Sequence, residues 1–187
     1  MRLKDINFEL LIPKNHLLNW DAAPPRQPNC CFKTTYDIKT FHGSLPLGVN
    51  ELSGSFGNGW IIWNVGSREF SPAITTNHFS WHYHPDDVPA FSYQDWYTFL
   101  KIPSPITLLI TNSKINIYIK KDMGLWKSIN NWINNCSINK SKFKTLKFLK
   151  FCRVFNSEIN SSIINNNKDR DICKLLGISF IDVNLNE

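Results

Sequence analysis

The sequence predicts an α/β domain, a mixed and mostly antiparallel sheet with flanking helices, followed by a basic helical C-terminal extension. Three observations predict it. The runs "WIIWNV", "HFSWHYH", "PITLLITN" and "KINIYIK" carry the β-branched and aromatic residues of strands. Between two of them, "SYQDWYTFLK" opens on a serine and reads as a short helix. From Met123 to Ser157 there is no acid, while Lys127, Lys140, Lys142, Lys144, Lys147, Lys150 and Arg153 supply seven positive charges.

The elements follow in order. Residues 1–41 read as an irregular or lightly structured N-terminal segment, because "AAPPRQP" breaks any helix. The core spans 42–122. It starts with the Gly-rich "GSLPLGVNELSGSFGNGW", where turns are expected, and continues into the strand "WIIWNV". The loop "GSREFSPAITTN" leads to the strand "HFSWHYH", the loop "PDDVPAF" and the helix. A turn at Asn112 and Ser113 joins the last two strands as a hairpin. In the extension, 123–187, Phe143, Leu146, Phe148, Leu149 and Phe151 alternate with lysines as on a basic amphipathic helix. After the polar linker "NSEINSSIINNN", the stretch "RDICKLLGISFIDVNL" reads as a helix turn, a Gly stop and a strand, so the extension packs on or completes the core.

Composition limits the function. Hydrophobic residues make up 42% and aromatics 13% of 187 residues, which suits a folded domain with a sizeable core. No apolar run reaches about 18 residues, so no membrane span is expected. The first residues hold acids and no small-residue cleavage site, against a secretory signal. Five cysteines without a CxxC point to reduced thiols and a cytoplasmic setting. The seven positives at 127–153 outweigh the net charge of +6. They suit either a solvated helix face or an acidic protein partner at Lys140–Arg153. Nucleic acid is disfavoured, since neither a phosphate loop nor an RNA-binding signature accompanies them.

The chemistry concentrates in "WHYHPDDVPAFSYQDW". On a strand, residues two apart share a face, so His82 and His84 present both imidazoles to one point. Asp95, in the first turn of the following helix, can face back toward them. Two His and one Asp leave a fourth tetrahedral position open, the mark of a catalytic zinc site. The same letters have a plainer reading: Ser92-x-x-Asp95 is close to a helix-capping box, and the two roles are compatible. Three other zinc patterns fit poorly. The LmbE-like deacetylase and metallo-β-lactamase motifs need histidines downstream, yet every histidine lies at or before position 84. The cupin motif needs a glutamate that is missing at its spacing.

His82-x-His84, seven residues, Ser92, two residues and Asp95 is similar to the signature of the JAMM (MPN+, or JAB-domain) zinc metalloproteases, including Pro85 after the second histidine. That family places a glutamate upstream in a Glu-x-x-Gly-x-x-x-Gly context, and "ELSGSFG" offers Glu51, Gly54 and a more closely spaced Gly57. The resemblance covers about residues 42–121. It implies a JAMM/MPN-like, cytidine-deaminase-like fold and one zinc per chain on His82, His84 and Asp95. It also implies Glu51 as general base, with Glu69 as the alternative, and Ser92 beside the oxyanion. The expected activity is that of a metallopeptidase or isopeptidase, deubiquitinase-like, acting on ubiquitin, a ubiquitin-like protein or a peptide tail. The second reading is a non-catalytic MPN-type scaffold that binds a partner through the basic tail.

Overall fold

The structure, a computed structural model, describes residues 30–33, 41–43, 45–57, 60–71, 79–102, 104–120 and 168–186. Among the described residues, seven strands and two helices are delineated: β1 (Cys30–Lys33), β2 (Leu52–Gly57), β3 (Trp60–Val65), β4 (Phe79–Tyr83), α1 (Tyr93–Lys101), β5 (Ile106–Ile110), β6 (Lys114–Lys120), α2 (Lys168–Leu175) and β7 (Ile178–Asn184). The strands form one mixed sheet in the order β1-β3-β2-β4-β5-β6-β7. Every pairing is antiparallel except β4 with β5, which are parallel and joined through α1. The chain is thus of the α/β class. Strands come from all three expected segments, since β1 precedes residue 41 and β7 completes the sheet from the C-terminal side.

The alternation of side chains sorts the core into two layers. On one face Trp81, Leu108, Ile110, Ile115, Ile117 and Ile119 pack with Phe41 and Leu45. On the other, Leu109 and Tyr118 meet Phe91, Trp96, Phe99 and Leu100 of the α1 region, with Ile172 and Cys173 of α2. β5 is buried along its whole length because both faces are covered, as the near-continuous apolar run "ITLLI" requires. Gly177, at φ 67°, ends α2 in the left-handed conformation that glycine adopts without strain and turns the chain into β7.

The Gly-rich segment departs from expectation. "LSGSFG" is strand β2, not a series of turns. Its period of two is present but muted, because serines and glycines carry it. Ser53 and Ser55 point one way and Leu52 the other, and Ser55 Oγ donates to the Phe79 carbonyl at 2.7 Å. Gly54 lies opposite Trp63 of β3 and Trp81 of β4, both buried. β1 is a short strand of four residues within the segment expected to be irregular or lightly structured. The expected basic helix around 140–153 lies outside the described residues. Among the described residues, no helix is long and apolar enough to cross a membrane.

Candidate metal centre

The site forms where β4 ends and α1 begins. His82 is on β4, and His84 continues the ladder one residue past it, its N–H bonded to the Ile110 carbonyl at 2.9 Å. The two rings therefore emerge on the same side, with centroids 4.8 Å apart. Pro85 and the two acids then turn the chain. Asp87, at φ 60°, is held in that conformation by Ser113, whose N–H and hydroxyl both donate to its carboxylate. The chain returns at Ser92, the N-cap of α1. Here the capping box is complete: Asp95 N–H donates to Ser92 Oγ at 3.2 Å, and Ser92 N–H donates to Asp95 Oδ2 at 2.8 Å. The cap fixes Asp95 rather than competing with its other role, because its oxygens also face the imidazoles. Oδ1 lies 3.5 Å from His82 Nε2 and Oδ2 lies 3.3 Å from His84 Nε2.

Glu51 arrives from the other side, just before β2. Its backbone is held by a carbonyl bond from Gly66 N–H and an N–H bond to the Ser67 carbonyl. Its Oε2 stands 3.4 Å from His82 Nε2. Hydrogen-bond bookkeeping fixes the tautomers. The Val88 carbonyl, 3.2 Å from His84 Nδ1, can only accept, so that nitrogen carries the proton. Ser53 Oγ gives its single hydrogen to the Ser71 carbonyl and offers a lone pair to His82 Nδ1 at 3.0 Å. In the neutral rings both Nε2 lone pairs would then face carboxylates, an arrangement that a cation relieves, whether a metal ion or a proton on Nε2. Ligand atoms about 2.0–2.1 Å from a tetrahedral zinc lie about 3.3–3.4 Å from each other. The contacts of 3.3, 3.4 and 3.5 Å are close to that edge, with Asp95 offering Oδ1 to His82 and Oδ2 to His84.

The cluster can hold a metal ion. One ligand atom from each of Glu51, His82 and His84 lies within 4.8 Å of the other two, and Asp95 adds an oxygen beside each imidazole. No family model, no curated protein and no solved structure matches the chain.

The electrostatics agree with a cation-binding role. Burial pushes the Asp95 carboxyl up, but the His84 hydrogen bond, the His82 charge and the Ser92 hydroxyl outweigh it and hold it at about 2. Burial pushes His84 down, and the bond and charge of Asp95, the Val88 carbonyl and Glu51 together lift it above its ordinary value. Of the residues singled out by sequence, His82, His84, Asp95 and Glu51 converge. Ser92 is bound to Asp95, its hydroxyl donating to Oδ2 at 2.6 Å. Glu69 lies in the exposed turn after β3, outside the cluster. Two residues that sequence reading passed over also shape the site. Ser53 orients His82. Gly66 has no room for a side chain, since a Cβ there would stand 2.1 Å from the Phe70 carbonyl oxygen.

Proposed function

We propose that the chain is a zinc-dependent peptidase or isopeptidase of the JAMM kind, acting at the C-terminal tail of ubiquitin, a ubiquitin-like protein or a comparable peptide. One observation carries the reading: the Nε2 atoms of His82 and His84 each lie 3.3–3.5 Å from a carboxylate oxygen of Glu51 or Asp95 where β4 leads into α1. His82, His84 and Asp95 would hold the ion. Zinc so held supplies Lewis acidity that brings the pKa of water from about 15.7 toward about 7. Glu51, the one carboxylate of the group outside the capping box, takes the proton of the attacking water and delivers it to the leaving amine. Ser92 keeps Asp95 in place. To stabilise an oxyanion its hydrogen must turn from Asp95 Oδ2 toward the substrate, a rotation that costs no backbone movement.

Metal content and turnover of three proteins test the reading. Wild type is expected to carry about one zinc per chain and to hydrolyse a ubiquitin-like protein extended at its C-terminus. Glu51→Gln should keep the zinc and lose at least about 100-fold in rate. His84→Ala should lose zinc and activity together. Unchanged turnover in Glu51→Gln would remove the base assignment. A zinc-bound wild type that cleaves no tail would leave the scaffold reading.

A further inference from the structure

The cap that presents Asp95 is itself anchored by a residue of α2. Asp169 is an acid with only 5% of its surface exposed, 74 residues beyond Asp95 in the chain. Its Oδ2 accepts the Phe91 N–H at 2.8 Å and a short hydrogen bond from the Tyr118 hydroxyl. Phe91 immediately precedes Ser92. Its ring stacks on Tyr118 at 3.9 Å between centroids, with planes 12° apart. Trp96, the residue after Asp95, meets both rings edge-on, at 5.3 Å and 5.9 Å. Both flanks of the Ser92–Asp95 segment are therefore tied to one aromatic group, and Asp169 is the polar peg in it. A buried carboxylate costs free energy that an apolar residue would not. Its place here is accounted for by an N–H that must be satisfied and by a segment that must not shift.

We infer that Asp169 is a positioning residue of the metal centre: by bonding Phe91 N–H and Tyr118 it fixes the cap of α1 so that Asp95 faces His82 and His84. The inference rests on the metal-binding reading above. Residues that orient metal ligands typically contribute about 10- to 100-fold in metal affinity. It also gives the C-terminal part of the chain a role at the centre, although none of its described residues belongs to the cluster.

Zinc affinity by chelator competition and the visible absorption of the cobalt(II)-loaded protein test it. Asp169→Ala is expected to bind zinc about 10- to 100-fold more weakly and to shift the cobalt bands, while far-ultraviolet circular dichroism stays unchanged. Asp169→Asn keeps an oxygen for Phe91 N–H and should recover most of the affinity and the wild-type spectrum. A folded Asp169→Ala with wild-type affinity and spectrum overturns the inference, as does an asparagine variant as impaired as alanine. If Asp169→Ala does not fold, Tyr118→Phe decides. Loss of the hydroxyl that pins Oδ2 should weaken zinc several-fold, and unchanged binding overturns the inference. His84→Ala separates the two readings. Zinc bound by wild type and lost in His84→Ala keeps the centre whatever Asp169 does, whereas a wild type without zinc overturns both.

Discussion

Replacing Asp95 with asparagine removes a charge while keeping the shape and an oxygen for the Ser92 N–H. In metal-free protein the cost follows from the carboxyl's displacement from 3.8 to about 2. At about 1.4 kcal/mol per pH unit, that is about 2 kcal/mol of stability favouring the charged form. The sign sets the window. A lowered carboxyl stabilises the fold above its unfolded value of 3.8, and the contribution fades as pH falls toward about 2. A raised histidine stabilises below 6.5, and its contribution fades as pH rises through the folded value. The Asp95–His84 interaction is one interaction seen from both partners, so it is counted once, and it is fullest between those limits. Urea unfolding in EDTA at about pH 5.5 should show Asp95→Asn less stable by about 2 kcal/mol, a midpoint about 1 M lower at an ordinary m-value. The difference should shrink at about pH 9 and again at about pH 3. Equal midpoints at pH 5.5, or a difference that grows at pH 9, would refute the account of how this carboxylate is held.

Other outcomes follow from neighbouring contacts. Ser53→Ala leaves His82 Nδ1 without its partner, so zinc affinity should fall about 10-fold by chelator competition while the melting temperature of the metal-free protein moves little. Gly66→Ala forces a methyl against the Phe70 carbonyl and must push the Glu51–Ser67 pairing apart. It should cost about 1–3 kcal/mol in denaturant unfolding and lower turnover more than it lowers zinc content.

What could be read from the sequence was whatever is written locally. The helix Tyr93–Lys101 announces itself by Ser92 and Asp95, whose capping bonds span three residues. The hairpin β5–β6 is legible because two apolar runs flank a polar turn. β2 escaped because its inward positions are filled by serines and a glycine, which look like loop until cross-strand partners satisfy the hydroxyls and two tryptophans flank the glycine. The pairing of His82 and His84 with Asp95 was legible from spacing, and Glu51 only from a family likeness. Ser53, Gly66 and Asp169 were not legible. Ser53 and Asp169 act through partners 29 and 78 residues away, and Gly66 through the Glu51 carbonyl 15 residues back as well as the nearby Phe70 carbonyl, contacts that local pattern does not encode.

The parallel pair β4–β5 and its connecting helix have a kinetic consequence. His82, His84 and Asp95 fall within 14 consecutive residues of one strand–helix unit, so drawing them together closes only short loops. Loop-closure entropy grows slowly but steadily with length, and this unit incurs little of it. Glu51 is 31 residues upstream of His82 and reaches the site only when β2 has docked between β3 and β4. Folding of the strand–helix unit can therefore bring the two imidazoles and Asp95 together before Glu51 joins them.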